Sequence, residues 1–289
     1  MTTGQVVLGS LSAAMDGGFT AIADVSQAMS AAGAQDDYRL IGGVTVMLHI
    51  ERLGLDVSLR ATADADFGVP PHVLRRPDLV EAVERLGYRK VFGNRWERRL
   101  DDRRVAAVDL LVPAYRSRAR DTVTVGDVVT TEVPGLAEAL RRPGVHIDAR
   151  PLLTDGTQLQ ANIVLPDAIG TLAMKALVRT VRTEQRDAED LWRCLEIAAA
   201  EGVEPAEFDR SAKLRELRTA LWKELGPGGS AITTLTERLQ DDAAARLRTR
   251  IRALLVEVVG APRPEVADGP KNRAPEAVRR AAGGTLRSR

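Results

Sequence analysis

The chain has 289 residues, 44% hydrophobic and 28% charged, a composition typical of a globular protein with one large domain or two modest ones. The net charge of +1 indicates no partner by itself, and the single cysteine, Cys194, excludes an internal disulfide and favours a reducing compartment. No apolar run approaches the roughly 20 residues of a membrane span, and residues 1–18 lack the basic start of a signal peptide, so we expect a cytoplasmic protein without a membrane partner.

Alternating helices and strands are predicted for the first 166 residues. In chain order these are a helix over residues 21–33, a strand over 38–41, a helix over 44–53, a strand over 60–69, a helix over 77–87, a two-stranded ribbon over 88–100, a strand over 104–112, extended chain over 122–133, a helix over 135–142 and a strand over 158–166. An arginine-rich loop covers residues 113–121. This order is typical of helices packed on a sheet.

Helical periodicity dominates after Pro166. The apolar pattern predicts helices over residues 167–182, 186–201, 204–224 and 232–259, with Cys194 as a buried structural thiol in the second of them. From Gly260 onward Pro, Gly, Ala and Arg dominate without an apolar period, which is typical of a disordered tail. We therefore predict an α/β domain over residues 1–166, a helical domain over 167–260 and a basic disordered tail over 261–289.

Three acidic residues indicate a metal site on the sheet. Asp64 and Asp66 alternate along one predicted strand, where side chains two residues apart share a face. Asp109 is the one acid in the apolar strand over residues 104–112. Neighbouring strands lie about 4.8 Å apart, so the three carboxylates can converge on one point. Because carboxylates at such distances repel each other, the pattern predicts a divalent cation between them.

Gly42 and Gly43 stand at the turn from a predicted strand to a predicted helix. Glycine lets backbone N–H groups approach a phosphate closely, and the N-terminus of a helix favours negative charge. A phosphate cradle followed by paired acids is the arrangement that Mg²⁺-dependent nucleotidyl transfer requires, because the metal ions bridge phosphate oxygens and neutralise developing charge.

A basic stripe and two acids follow in the helical half. Lys175, Arg179 and Arg182 lie at i, i+4 and i+7 on one helix face, so an anionic partner such as a triphosphate would offset their repulsion. A solvated surface or an internal acid is the alternative. Asp187 and Asp190 share a face of the next helix, and a break before it would turn both groups inward. A simple interaction with the helix dipole is the alternative for Asp187.

Together these motifs resemble the AbiEii/AbiGii-type nucleotidyltransferases, the family that includes the MenT toxins of mycobacterial toxin–antitoxin systems. The resemblance covers about residues 38–195. It depends on the Gly-Gly pair, on Arg-x-Thr-x-Asp-x-Asp over residues 60–66, on the later strand acid, and on Lys-x3-Arg-x6-Arg-Asp-x2-Asp-Leu over residues 175–191. Phe67-Gly68 fits the family's apolar position only in part, and Gly-Gly stands where other superfamily members have Gly-Ser.

The resemblance implies an α+β fold of the nucleotidyltransferase (polymerase-beta) type, with a mixed sheet, flanking helices and a C-terminal helical domain. The implied site residues are Asp64, Asp66 and Asp109 for two Mg²⁺ ions, Gly42, Gly43, Thr62, Lys175 and Arg179 for the nucleotide, and Asp64, Asp66, Lys175 and Asp187 for catalysis. In this scheme Asp187 orients Lys175 or acts as a base.

The resemblance also implies an activity and its partners. Members of the family transfer a nucleoside monophosphate from an NTP. The MenT relatives add nucleotides to the 3′ end of tRNA, which blocks aminoacylation and halts translation. We therefore expect an NTP substrate, a tRNA acceptor and a cognate antitoxin.

An arginine-rich segment over residues 75–120 indicates an RNA surface. It has thirteen Lys or Arg against seven acids and contains four of the ten aromatic residues. Cations that follow phosphates, with aromatic rings that stack on bases, are typical of single-stranded RNA binding. The predicted contacts are Arg75, Arg76, Arg89, Lys90, Arg95, Trp96 and Arg98. An ordinary arginine-rich ribbon whose aromatic residues pack the sheet is the alternative.

Two other functions remain open from the sequence. The same transfer to a small molecule of the aminoglycoside type or to a protein would be favoured by an acidic pocket. A non-catalytic RNA-binding relative would lack tight Mg²⁺–NTP binding. The histidines His49, His72 and His146 show no metal-ligand spacing, and we interpret His49 as a core or surface residue.

Overall fold

The structure is a computed structural model that describes residues 4–58, 64–116, 119–179 and 184–261. Within these ranges the protein is of mixed α/β type, with helices and mixed sheets, as the predicted α+β class requires. The predictions for Arg60, Thr62, Arg182 and residues 262–289 lie outside the described residues. In the described ranges no helix has the length and apolar character that crossing a membrane requires.

Ten strands and ten α-helices follow one another along the described chain. The strands are β1 (Gly4–Gly9), β2 (Arg39–Ile41), β3 (Ala65–Gly68), β4 (Arg89–Phe92), β5 (Arg95–Arg99), β6 (Val105–Pro113), β7 (Val123–Val125), β8 (Val128–Val133), β9 (Val145–Leu152) and β10 (Ala161–Leu165). The helices are α1 (Ala13–Ala31), α2 (Gly43–Leu53), α3 (Pro71–Leu74), α4 (Pro77–Arg85), α5 (Leu136–Arg141), α6 (Ala168–Val178), α7 (Gln185–Ala200), α8 (Ala212–Leu225), α9 (Ser230–Thr236) and α10 (Asp241–Leu254). A 3₁₀ turn covers Pro205–Asp209, and a π-helical turn over Leu255–Val259 extends α10.

Most of the elements predicted for the first 166 residues are confirmed. They include β2, α2, α4, the β4–β5 ribbon, β6, the β7–β8 hairpin and α5. The acidic strand is shorter than predicted, since β3 begins at Ala65 and Asp64 comes directly before it. Strands β1 and β9 and the short helix α3 were not predicted.

Strand β6 is the centre of the larger sheet. It pairs in parallel with β3 on one edge, and on the other edge it pairs first with antiparallel β5 and then with parallel β8. Its residues Ala106, Val108 and Leu110 are buried in the main core, which also contains the apolar residues of α1. Asp109 and Leu111 alternate with them and therefore point to the opposite face. That second face is the one that carries the candidate site.

A smaller sheet of the described chain joins distant segments in the order β1–β9–β10. Strand β1 runs parallel to β9, and β10 runs antiparallel to β9. Strand β1 was not predicted from the sequence, because its partner β9 lies far along the chain.

Helix α1 begins at Ala13 rather than at residue 21. Ser12 caps it, since the Ser12 hydroxyl accepts a hydrogen bond from the Met15 N–H at 3.2 Å. Gly17 lies inside the helix at its closest approach to β6, where a Cβ would meet the backbone of Val105. The absence of a side chain at Gly17 therefore lets the helix pack closely on the sheet.

We expect Gly17→Ala to lower the free energy of unfolding by about 1–3 kcal/mol, the usual cost of overpacking a core. The new Cβ would lie less than 3.0 Å from the carbonyl oxygen of Val105, which belongs to the backbone of the central strand and cannot easily move. Gly9→Ala is the control, because its Cβ meets no atom within 4 Å. Urea unfolding of both variants measures the difference, and equal stability would contradict the close contact.

The helical half packs as one cluster and also contacts the sheet region through α2. Val46 and Ile50 of α2 belong to the same apolar cluster as Leu191 and Leu195 of α7. The helices predicted over 167–182 and 186–201 correspond to α6 and α7. Each of the two later predicted helices is divided in the structure, and a new N-cap at Ser211 starts α8.

Cys194 is fully buried in this cluster. Burial raises the pKa of its thiol to about 12, so the nucleophilic thiolate is not populated at neutral pH. The prediction of a structural thiol is confirmed.

Candidate active site

A cavity of about 330 Å³ lies where the sheet, the turn before α2 and helices α6 and α7 meet. Five of the predicted site residues line it, namely Gly42, Asp66, Asp109, Lys175 and Asp187. These residues come from separate elements that are far apart in the sequence. Convergence of polar groups in one concave site is typical of a binding or active site.

Two larger cavities contain none of these residues. One of about 510 Å³ is lined by α8, α9 and α10, and one of about 830 Å³ is lined by α1 and β10. We place the candidate site in the smaller cavity because the glycine turn, the paired acids and Lys175 meet there, whereas volume alone implies no chemistry.

Asp66 and Asp109 stand opposite each other on two parallel strands. They are direct Cα partners in the β3–β6 ladder. Parallel neighbours lie about 4.8 Å apart, and partners in register share a face, so the two carboxylates lie side by side in the cavity. The structure thus brings these two predicted residues together, and their role as metal ligands stays a prediction.

Asp64 joins this pair through a shared arginine. Its side chain is 54% exposed, and its Oδ1 lies 3.6 Å from the NH1 of Arg95. The same nitrogen lies 3.5 Å from the Oδ2 of Asp109. One guanidinium therefore offsets the charge of two carboxylates.

Asp109 is also held by a hydrogen-bond chain from the neighbouring strands. The Nδ2 of Asn94 donates to the Oδ1 of Asp109 at 2.8 Å, and the Oδ1 of Asn94 accepts from the hydroxyl of Thr131 at 3.1 Å. Burial raises the pKa of Asp109, Arg95 opposes that shift, and the charge of Asp64 adds to it. Further positive charge beside Asp109 would therefore stabilise its ionised form.

The carboxylates fit a magnesium ion that takes its other ligands from water and phosphate. Among the described residues, no group of three or more His, Cys, Asp or Glu side chains is arranged to hold a metal by itself. Mg²⁺ usually binds through one or two carboxylates and keeps several waters or substrate phosphate oxygens. Asp66 and Asp109 would supply those two carboxylates, with Asp64 beside them.

Gly42 brings the start of α2 against Asp66. Its backbone has φ +83° and ψ −158°, a conformation that suits glycine alone. A Cβ at Gly42 would lie less than 3.0 Å from the Oδ2 of Asp66. Gly43 is the first residue of α2, so the partial positive charge of the helix N-terminus lies at the wall of the cavity.

Lys175 reaches the cavity from α6 and is fixed by a buried ion network. Its Nζ donates to the Oδ2 of Asp190 at 2.7 Å, and the two side chains are only 12% and 3% exposed. The NH1 of Arg193 lies 3.3 Å from the Oδ1 of Asp190. The Nε of Arg193 donates to the carbonyl oxygen of Ser58 at 2.9 Å. This network links Lys175 to the segment of chain that leads toward the acidic strand.

Asp187 lines the same cavity from the first turn of α7 and is 2% exposed. Asp187 was predicted to orient Lys175 or to act as a base, but the Lys175 Nζ donates its hydrogen bond to Asp190, almost one turn further along α7. The position of Asp187 is also compatible with an interaction with the helix dipole. Its role as a base stays a prediction.

Arg179 does not line the cavity, contrary to its predicted contact with the nucleotide. Helix α6 ends at Val178, so Arg179 does not continue the helical face of Lys175 as predicted. The Arg179 guanidinium is fully buried and forms an ion pair at 3.0 Å with Glu224, and it also donates to the hydroxyl of Ser230. Arg179 therefore links the end of α6 to α8 through Glu224 and to α9 through Ser230.

Several residues of the predicted RNA surface have partners inside the protein. Arg76 pairs with Asp78, Arg95 with the acids of the site, and Arg98 with Asp24. Arg75, Arg89 and Lys90 are exposed. These exposed cations therefore lie directly after α3 and on the edge strand β4.

The aromatic residues of this segment divide into two kinds. Trp96 is 4% exposed, and Lys90 lies 5.9 Å from the centre of its ring, so little of that ring is available to a base. Tyr88 is fully buried. Phe92 and Tyr115 are 66% and 72% exposed. The structure therefore does not support the predicted stacking role of Trp96, whose ring packs the sheet, and it presents Phe92 and Tyr115 instead.

His49 is a buried core residue, one of the two locations expected for it. Its Nε2 lies 2.9 Å from the carbonyl oxygen of Pro166, which can only accept, so Nε2 carries the proton. Its Nδ1 then accepts from the NH2 of Arg52 at 3.1 Å. Burial, with a smaller contribution from the Arg52 charge, lowers the pKa of His49 to about 4.

We expect His49 to make the protein less stable as the pH falls from about 6.5 toward 4. In that window the unfolded chain binds a proton that the folded protein excludes, so the free energy of unfolding decreases by on the order of 3 kcal/mol. His49→Gln can keep the hydrogen bond to Pro166 but does not titrate. Urea unfolding at a series of pH values should give a steeper acid slope for wild type than for His49→Gln, and identical slopes would contradict the assignment.

Some residues of the site were not predicted. Asn94 lies in the turn of the β4–β5 ribbon, and nothing in the local sequence indicates its contact with Asp109. The same holds for Thr131, which reaches Asn94 from β8. Arg193 carried a usable signal, because it lies at i+3 from Asp190 on the same helix face.

The sequence was compared with protein-family models and with curated proteins. No protein-family model matches the sequence, and no curated protein matches it. The resemblance drawn from the motifs therefore stays a prediction, and the contacts of the cavity carry the functional argument.

Proposed function

We propose that the protein is a Mg²⁺-dependent nucleotidyltransferase that moves a nucleoside monophosphate from an NTP to an RNA acceptor. The single observation that supports this most is the cavity shared by Gly42, Asp66, Asp109, Lys175 and Asp187. Paired acids, a helix N-terminus and a lysine are the groups that phosphoryl and nucleotidyl transfer use. The fold would then be a variant of the polymerase-beta-type nucleotidyltransferases.

The acids and the basic groups have separate tasks in this proposal. Asp66 and Asp109, with Asp64 beside them, would hold Mg²⁺, which when bound supplies charge neutralisation at the phosphates. The start of α2 after Gly42 presents backbone N–H groups and a positive dipole end to an anion. Lys175, oriented by Asp190, places a positive charge at the same wall of the cavity.

Asp187 is the proposed base for the attacking hydroxyl. It lines the cavity and is almost fully buried, so it can accept a proton at Oδ1 or Oδ2 away from bulk water. The exposed cations Arg75, Arg89 and Lys90 favour a nucleic-acid acceptor. The choice of the tRNA 3′ end, the toxin role and a cognate antitoxin all derive from the motif resemblance.

A cationic small molecule is the second candidate acceptor, and one observation favours it. Among the described residues, the cavity lining contains the further acids Asp121 and Glu132 besides the acids of the site, and Lys175 is its one lysine or arginine. Glu132 is already paired with Arg120, which reduces the negative charge offered to a ligand. An acidic lining of this kind suits an aminoglycoside-like acceptor.

Transfer of label from each [α-³²P]NTP with Mg²⁺ tests the proposal and separates the acceptors. Parallel reactions contain total RNA, a panel of aminoglycosides or a protein mixture. We expect label on RNA, at the 3′ end of tRNA-sized species. Asp66→Ala and Asp109→Ala should each lower transfer at least about 100-fold, because each removes a carboxylate that would hold the Mg²⁺ needed to neutralise charge at the reacting phosphate.

Asp127→Ala is the matched control, since Asp127 is exposed in the β7–β8 turn and should transfer like wild type. Full activity of Asp66→Ala would refute the proposed site. Label on aminoglycosides in place of RNA would establish the second candidate. If wild type shows neither transfer nor Mg²⁺–NTP binding, the result would favour the non-catalytic RNA-binding alternative.

A further inference from the structure

Arg95 occupies an unusual position beside the acids of the cavity. It is the direct Cα partner of Asp109 in the antiparallel β5–β6 ladder. Its NH1 lies 3.5 Å from the Oδ2 of Asp109 and 3.6 Å from the Oδ1 of Asp64. Its charge is therefore shared by two of the three acids that a divalent cation would need.

A fourth acid holds the other side of the same guanidinium. The Nε of Arg95 donates to the Oε1 of Glu97 at 2.7 Å. Charge-assisted hydrogen bonds between nitrogen and oxygen usually measure about 2.7–2.9 Å, so this contact is a full ion pair. The contacts with Asp64 and Asp109 are longer and weaker. Arg95 can therefore release those two acids while Glu97 still holds it.

We propose that Arg95 is the internal counter-ion of the Asp64–Asp109 cluster and that it competes with a divalent cation for these carboxylates. The inference rests on the proposed function, because it concerns the same metal-binding acids. Without a cation, Arg95 offsets the repulsion between the acids. When a cation binds, the Arg95 guanidinium repels it, and this repulsion weakens the binding of the cation to the acids.

Because of this competition, the affinity of the site for a divalent cation should depend on whether an NTP is bound. A cation that must displace the charge of Arg95 binds weakly to the acids alone. The phosphates of an NTP bring negative charge into the cavity and shift the balance toward the cation. The arrangement also agrees with the finding that the described residues form no ready three-ligand metal site.

Direct titration with Mn²⁺ in the absence of nucleotide tests the inference. The electron paramagnetic resonance signal of the free aquo ion reports the unbound Mn²⁺, and displacement by Mg²⁺ follows. We expect Arg95→Gln to bind Mn²⁺ about tenfold more tightly than wild type, because a positive charge within a few ångströms of the cation has been removed. Arg95→Lys keeps the charge and should bind close to wild type.

Arg99→Gln is the matched control. Arg99 lies on the same face of β5, four residues further along, and pairs with the exposed Asp102. At roughly 13 Å along the strand its charge is largely screened, so Arg99→Gln should bind Mn²⁺ like wild type. Circular dichroism of each variant confirms that the fold is kept.

Two results would overturn the inference, and they differ in what they mean for the function. If wild type binds Mn²⁺ with NTP and transfers label, but Arg95→Gln binds Mn²⁺ no more tightly than wild type, only the role of Arg95 is wrong. If neither protein binds Mn²⁺ with or without NTP, and neither transfers label, both the role of Arg95 and the proposed function are wrong. Tighter binding by Arg95→Gln but not by Arg99→Gln supports the inference.

Discussion

Gly42→Ala is expected to lower nucleotide transfer by more than about 100-fold, the effect that a displacement of about 1 Å at a reacting group can have. The added Cβ would lie less than 3.0 Å from the Oδ2 of Asp66 and 3.1 Å from its Cγ. Asp66 must then leave its present position, so the spacing between the Asp66 and Asp109 carboxylates changes.

The stability cost of Gly42→Ala should be moderate. Its φ of +83° with ψ of −158° is unfavourable for alanine, and strain of this kind costs about 1–3 kcal/mol. The control is Gly54→Ala at the other end of α2, where φ is +61° and the added Cβ meets no atom within 4 Å. That variant should lose about 1 kcal/mol of stability and keep its activity. A folded Gly42→Ala protein with full transfer would contradict the role of this turn.

Local signals account for the parts of the site that were predicted. The strand, the glycine pair and the helix that give β2, Gly42 and α2 lie within sixteen residues, and a single acid in an apolar run marked Asp109 on β6. Glycine and hydrophobic periodicity act over such short ranges. The mixed α/β class followed from the same signals.

Long-range geometry accounts for what the sequence did not reveal. Arg95 meets Asp109 only through the register of β5 on β6, and a shift of one residue would turn it to the other face. Asp187 and Asp190 share a helical face. It is the orientation of α7 against α6 that brings Asp190 into hydrogen-bonding distance of Lys175. Arg179 is buried because α6 ends one residue before it, which no charge pattern indicates.

Lys175→Met is expected to lower transfer by about 100-fold to 1,000-fold while the protein stays folded, the range seen when one charge-stabilising group is removed. Among the described residues that line the cavity, Lys175 is the only lysine or arginine. Its removal does not leave Asp190 without a cation, because the NH1 of Arg193 is 3.3 Å from that carboxylate. The usual 3–5 kcal/mol cost of breaking a buried pair should therefore be reduced.

Asp190→Asn tests the positioning of the Lys175 ammonium separately from its charge. It keeps the Lys175 ammonium but removes the carboxylate that orients it, so kcat should fall while Lys175 still contributes to NTP binding. Lys175→Met should instead raise the KM for NTP and also lower kcat, because the charge itself is lost. Steady-state transfer at a series of NTP concentrations distinguishes the two patterns. A folded Lys175→Met protein with more than about a tenth of wild-type kcat/KM would exclude Lys175 from the reaction, since even one lost hydrogen-bond donor usually costs more.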